Sequence, residues 1–261
     1  MAKTGQRRKT SGNDRYTAPR HVSREIPTMK FKNTLPFALA LALLLGAGPA
    51  SAQVSTPPAG DYIYEGGSGA LRVKADGRFD ITTIGANAHT CALDGTIVRG
   101  KAKLADSGCV VSFAVNADKV AVSTNGDEQC RDNCGMRATF EGTYTRPTPA
   151  CTDKAVASSR KSFKRQYDAK DYSTALATLS PVLSECEKTL DWITKDWIRN
   201  DIALTQFKLN DRAACLKTLQ PLAEDAARTD DGIKENYPPA DAEIFLPVVR
   251  ATRTNLKLCR G

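Results

Sequence analysis

The chain has 261 residues, eight cysteines and a formal net charge of +8. A surplus of that size points to nucleic acid only when it is spread over the folded surface. Nine Lys/Arg and two acids fall within residues 1–52, leaving 28 bases against 27 acids beyond Ala52 with no nucleic-acid motif, so that partner class is excluded.

Residues 1–28 are polar, basic and too poor in apolar side chains to form a core. They read as a start placed upstream of the true one at Met29, or as a disordered leader. Arg7-Arg8 lies too far from any apolar run for twin-arginine export. Residues 29–52 read as a secretory signal peptide. Lys30 and Lys32 supply the basic start, Phe37 to Leu45 the apolar run, and Ala50-Ser51-Ala52 a small-residue cleavage site. The run is too short for the roughly 20 residues of a membrane span, and Pro36 and Pro49 bracket it. No cysteine follows the site, so no lipid anchor is expected. The expectation is a periplasmic or secreted protein with no membrane insertion after cleavage near Ala52.

Residues 60–147 alternate short apolar runs with turn chemistry. Asp76-Gly77, Asp94-Gly95 and Asn125-Gly126 are dipeptides that supply the positive φ of tight hairpins, and Ser107-Gly108 and Asn116-Ala117-Asp118 are weaker turns. Alternation at Leu71 and Val73, at Val111, Phe113 and Val115, and at Ala138, Phe140 and Tyr144 puts one face inward. About eight antiparallel strands are expected, as a barrel or sandwich. The loop Glu65 to Gly69 opens a strand rather than a helix, so it reads as a turn and not a phosphate cradle. The segment Cys130 to Arg137 is the most distinctive local sequence. It reads as a disulfide-tied loop, with Arg131, Asp132 and Asn133 as a rigid recognition surface.

Residues 151–260 carry an internal repeat offset by 40. Asp171, Leu176, Thr178, Leu179 and Pro181 recur as Asp211, Leu216, Thr218, Leu219 and Pro221, with Gln166/Gln206 and Tyr167/Phe207 upstream. Such a period indicates stacked helix pairs. With Lys170-Asp171 and Asn210-Asp211 at the turns and Ala175-Leu176 and Cys215-Leu216 early in the second helices, this stretch resembles the tetratricopeptide repeat family. Its spacing exceeds that family's usual length of about 34. The resemblance implies a groove that binds peptides or protein segments. By position, Arg160, Lys164 and Tyr167 face it in the first copy, and Asn200, Leu204, Phe207 and Lys208 in the second. Trp192 and Trp197 belong to the core by default, and an exposed one would mark a binding hot spot. A last helix is expected from Pro239 to Leu258, capped by Asp241 and kinked or broken at Pro247.

The fold expected is therefore α+β in two domains, an antiparallel β barrel or sandwich followed by a tetratricopeptide-like helical repeat. All eight cysteines lie beyond Ala52, and an even count in an exported chain reads as disulfides. The pairs favoured are Cys91–Cys109, Cys130–Cys134, Cys151–Cys186 and Cys215–Cys259, the third because two antiparallel helices turning near Lys170 bring Cys151 and Cys186 level. A zinc site of His89, Cys91, Cys130 and Cys134 is the alternative, disfavoured because no C-x2-C pair occurs. No metal or other cofactor is expected. His89, the one histidine beyond Ala52, sits on a strand, and no catalytic motif occurs. The envelope setting and the small disulfide-tied β domain resemble periplasmic lysozyme inhibitors and immunity proteins. A non-enzymatic protein that binds an envelope protein partner is expected, either as an inhibitor or as a scaffold acting through the helical groove. A cell-wall hydrolase is the reading from another class.

Overall fold

The computed structural model describes residues 53–54 and 56–261, as a β-barrel followed in sequence by helices. The leader over 1–28, the signal segment over 29–52 and the cleavage site near Ala52 lie outside the described residues.

The strands are β1 (Gln53–Val54), β2 (Gly60–Tyr64), β3 (Gly69–Val73), β4 (Arg78–Ile84), β5 (Thr90–Thr96), β6 (Lys101–Lys103), β7 (Val110–Asn116), β8 (Lys119–Thr124) and β9 (Gly142–Thr145). They run antiparallel in the order β1–β7–β8–β9–β2–β3–β4–β5, and β6 takes the other half of the β7 edge that β1 uses. β5 returns beside β6, so the sheet is a nearly closed barrel of eight strands. Period-two alternation fills its interior with Leu71, Ile81, Val111, Phe113, Val120 and Tyr144, all fully buried. Phe79 and Phe113 meet edge to face, their ring centroids 5.0 Å apart.

One expected turn is a strand. Asp94-Gly95 lies inside β5, paired with Asp80 and Phe79 of β4. The ring of Phe79 comes within 3.1 Å of where a Cβ on Gly95 would stand, so this glycine answers to packing rather than to a turn. The hairpin falls five residues later, at Arg99-Gly100. Both residues have positive φ, 51° and 73°, as a two-residue type I′ loop needs. Val98 and Lys101 exchange the closing backbone bonds, at 2.7 and 3.1 Å.

The barrel's disulfides differ from the pairs favoured by the sequence. Instead of Cys91–Cys109 and Cys130–Cys134, the bonds are Cys91–Cys134 and Cys109–Cys130, with Cα separations of 4.0 and 4.9 Å. A 3₁₀ turn over Glu128–Asn133 carries Cys130 and Cys134 to opposite ends of one short segment. Cys134 pairs across to Cys91 on β5, while Cys130 reaches the chain entering β7. The segment thus straddles the β5–β6 seam where the sheet does not close. Both bonds consume the thiolates of the alternative zinc set, since no cysteine is free.

The helices are α1 (Asp153–Asp168), α2 (Tyr172–Cys186), α3 (Trp192–Lys208), α4 (Arg212–Leu219), α5 (Ala223–Ala227), α6 (Asp230–Asn236) and α7 (Pro239–Arg260). Thr152, Asp171, Asp191, Asp211 and Thr229 each cap a helix by accepting a backbone N–H with the side chain. The 40-residue repeat appears as two antiparallel hairpins with one turn design. Lys170 and Asn210 both take positive φ, 63° and 62°, and the next residue's N–H returns to Gln166 O or Gln206 O at 2.9 Å. The likeness stops at the prolines. Pro181 sits inside α2, whereas Pro221 lies past the end of α4, in the middle of the 3₁₀ turn Gln220–Leu222. Pro247 does not break α7, which continues to Arg260. The helix lies against α3 and α4. Cys151–Cys186 joins the start of the α1–α2 hairpin to its end, and Cys215–Cys259 joins α4 to α7. No helix among the described residues is long and apolar enough to cross a membrane.

Candidate functional site

The helices meet the barrel at two latches. In the first, the β2–β3 turn presses against the α2–α3 connection. Gly66 N–H donates to Lys188 O at 2.9 Å. Gly67 has φ +74°, and a Cβ there would stand 2.1 Å from Asp191 N, so only glycine permits the approach. The loop read from sequence as a plain turn is a docking element.

The second latch is an N-cap supplied to the last helix by the barrel. Pro238 precedes α7 and has no side chain with which to cap it. Asn87, in the turn after β4, holds a left-handed backbone at φ 58° and accepts from Ala240 N–H with its Oδ1 at 3.0 Å. Asp241, three residues after Pro238, accepts in return from Asn87 N–H at 3.0 and 3.2 Å. This is the reciprocal bonding of a capping box, divided between the barrel and α7. Asp241 therefore does not cap α7, as its position suggested. Asn87→Ala should cost about 1 kcal/mol in a denaturant titration, with increased amide exchange in the first turn of α7. An unchanged midpoint and exchange pattern would show that the latch contributes nothing.

Between the latches lies a cleft of about 1300 Å³. Its barrel wall is Ser68 to Ala70, Thr82 and Ile84 to Ala86, and its helical wall is one face of α1 together with the starts of α3 and α7. Ile84 and Ile244 stand on opposite walls with about half their surface exposed (56% and 50%). Trp192, half-buried, joins the lining with Tyr237, and both rest on Phe245 at 4.9 and 5.0 Å. Tyr237 donates its hydroxyl to Asp225 at 2.9 Å, and burial with this bond pushes its pKa up to about 12. The ring is fixed and neutral.

Of the groove and loop residues expected from the sequence to bind, Arg160 alone lines this cleft, and Trp192, assigned by default to the core, lines it as well. Lys164 is exposed and pairs with Asp168 on its own helix at 2.8 Å. Tyr167 packs against Phe163 and Tyr172, and the equivalent Phe207 lies under the Arg212 guanidinium, so both close their hairpins. Leu204 is half-buried and Lys208 exposed. Asn200 is a correction. It faces away from any groove and is 3% exposed between α3 and α7. Its amide donates to Thr252 Oγ1 at 2.9 Å and accepts from Asn255 at 3.0 Å. The repeat resemblance placed it on the groove face of α3, but α7 covers that face. Arg131 and Asp132 are exposed, and Asn133 is half-buried, on the seam segment outside the cleft. The residues that sequence reading missed, Gly67, Ile84, Asn87, Tyr237 and Ile244, come from three separate stretches, around 67, over 84–87 and over 237–244. Only the glycine-rich Glu65–Gly69 loop carried a visible signal.

Two carboxyls on α3 are perturbed. Burial raises Asp201 to about 6 against the opposing charge of Arg160. Burial also raises Asp196 to about 6, opposed by Arg199 and Lys195. A carboxyl whose folded pKa is raised contributes stability that is complete below its unfolded value near 3.8 and is lost as pH rises through about 6. Asp196→Asn should therefore raise stability at pH 7.5 by on the order of 2 kcal/mol and leave it nearly unchanged at pH 4. Thermal melts at the two pH values test this. An equal gain at both would remove the assignment.

Comparison with protein-family models, with characterised proteins and with solved structures gave no match to this chain.

Proposed function

We propose that this is an exported, non-catalytic protein-binding protein, and that a segment of its partner lies in the cleft between barrel and helices. The observation that carries this reading is the cleft itself, large, apolar and held open by two latches that cost no ordering when a ligand arrives. Four disulfides fit an oxidising compartment. The helical hairpins contribute the α1 face, as groove-forming repeats do.

A photo-crosslinking residue at Ala157 on the α1 wall, in protein exported by living cells, tests the proposal against the same residue at Asp132 on the seam segment. Crosslinks to one defined polypeptide from Ala157 and not from Asp132 are expected. The reverse pattern would move binding to the seam segment, as an inhibitor acting through that loop requires. Release of soluble fragments from purified peptidoglycan would replace the reading with a hydrolase.

A further inference from the structure

We infer, resting on that reading, that the segment occupying the cleft is cationic and apolar, with a lysine or arginine side chain set against Trp192 and Tyr237. The lining carries Asp153, Asp191, Asp241 and Glu243 against one cation, Arg160. None of the ion pairs among the described residues uses any of the four carboxylates. Asp191 and Asp241 accept backbone N–H groups, which leaves their charge in place. Asp153 and Glu243 are exposed at the openings of α1 and α7. Four acids against one base leave the lining a formal excess of three negative charges, and Arg160 lies two helical turns beyond Asp153.

Carboxylates along low-dielectric walls focus a negative potential into the space between them and draw cations to it. The aromatic corner gives such a cation a seat. Trp192 and Tyr237 lie parallel, within 3°, with centroids 6.2 Å apart. Asp191 and Asp241 belong to the same lining. A guanidinium or ammonium over a ring face gains from the ring quadrupole, and more so where water is partly excluded. The isoleucines on the two walls, Ile63, Ile84, Ile193 and Ile244, require apolar side chains beside that charge. A length of polypeptide carrying both kinds of side chain meets these demands together. A small cation would leave most of a 1300 Å³ space unfilled.

The test uses the exported protein and three fluorescent decapeptides that alternate leucine with lysine, serine or glutamate, read by anisotropy at physiological salt. The Leu/Lys peptide should bind about tenfold more tightly than Leu/Ser, with Leu/Glu weakest. The double variant Asp153→Asn/Glu243→Gln should weaken Leu/Lys about tenfold and leave Leu/Ser unchanged. Trp192→Leu should weaken Leu/Lys about fivefold. A control pair, Glu224→Gln/Asp231→Asn, lies outside the cleft and should have no effect. Thermal melts establish that each variant is folded, and the carboxylate variants stand as a test even if Trp192→Leu does not fold. Equal binding of Leu/Lys and Leu/Glu, or indifference of Leu/Lys to the double variant, overturns the inference. If Ala157 still crosslinks a partner in that case, the cleft reading survives without its charge preference. If neither peptides nor partner are held at the cleft, the reading beneath it fails as well. Benzyltrimethylammonium binding as tightly as Leu/Lys, and displacing it, would make the occupant a small organic cation and overturn the polypeptide.

Discussion

Replacing Cys91 and Cys134 together by alanine should lower the unfolding free energy by about 3–4 kcal/mol, the entropy expected from releasing a loop of some 43 residues. The bond joins β5 to the seam segment where ladder hydrogen bonds are fewest. Besides the bridge between Cys91 and Cys134, the bond from Gly135 N–H to Thr90 O at 2.8 Å holds the segment on that side. Loss of the disulfide should therefore act locally as well as globally. Amide exchange should rise first in β5 and in the segment after Glu128, while β7 and β8, zipped by a six-residue register, keep their protection. Removing Cys109 and Cys130 instead should cost about 3 kcal/mol, because the loop it closes is shorter, with a sequence separation of 21. Urea titration of the two double variants measures both. A larger loss from the second pair than from the first would mean that loop entropy does not set the order and that the seam is held by packing.

The seam also shows where sequence reading stops. Helical hairpins bring residues level by counting from a turn, which is why Cys151 and Cys186 could be ranked from sequence spacing alone. In a barrel, the partner of a cysteine depends on which strands end up adjacent, and β5 lies beside β6 and the seam segment because the sheet, continuous through the β9–β2 pair, curls round on itself. Nothing in the spacing of Cys91, Cys109, Cys130 and Cys134 records that closure. Gly95 misled for a related reason. An Asp-Gly pair specifies positive φ only when the chain is free to turn, and here the ring of Phe79, itself placed by the β4–β5 register, claims the space above it. The cleft was the least legible feature. Its latches join Gly67 to Asp191 and Asn87 to Asp241, pairs more than a hundred residues apart whose contact follows from how the helices pack on the barrel. The α1 face, by contrast, was partly legible, since Arg160 shares one helical stripe with Asp153, Val156 and Ala157.

Asn200→Ala should destabilise the protein by about 2–3 kcal/mol without weakening partner capture by the molecules that remain folded. At the sequence level Asn200 belonged with the groove, where its replacement would cost binding and little stability. Its buried position reverses that. The side chain spans α3 and α7, donating to Asp196 O at 3.0 Å and to Thr252 Oγ1, and accepting from Asn255. Truncation removes one member and leaves the Asn255 amide and the Thr252 hydroxyl with fewer partners in a site closed to water. Thr252 can still donate to Val248 O at 2.9 Å, and Asn255 to Asn200 O at 3.3 Å, so the loss is that of a partly relieved network rather than of three orphaned groups. Asn200→Leu should be as costly, because it keeps the volume and still abandons both neighbours. The triple change Asn200→Leu/Thr252→Val/Asn255→Leu removes every polar side chain of the network at once and should recover much of the stability, since an apolar contact of similar shape leaves nothing unsatisfied. Denaturant midpoints measured beside Ala157 crosslinking separate the two roles. Normal stability with lost crosslinking would return Asn200 to the binding surface, whereas the reverse pattern makes it the polar pin that fixes α7 on the helical hairpins and, through the Asn87 cap at the other end of α7, holds the cleft at its width.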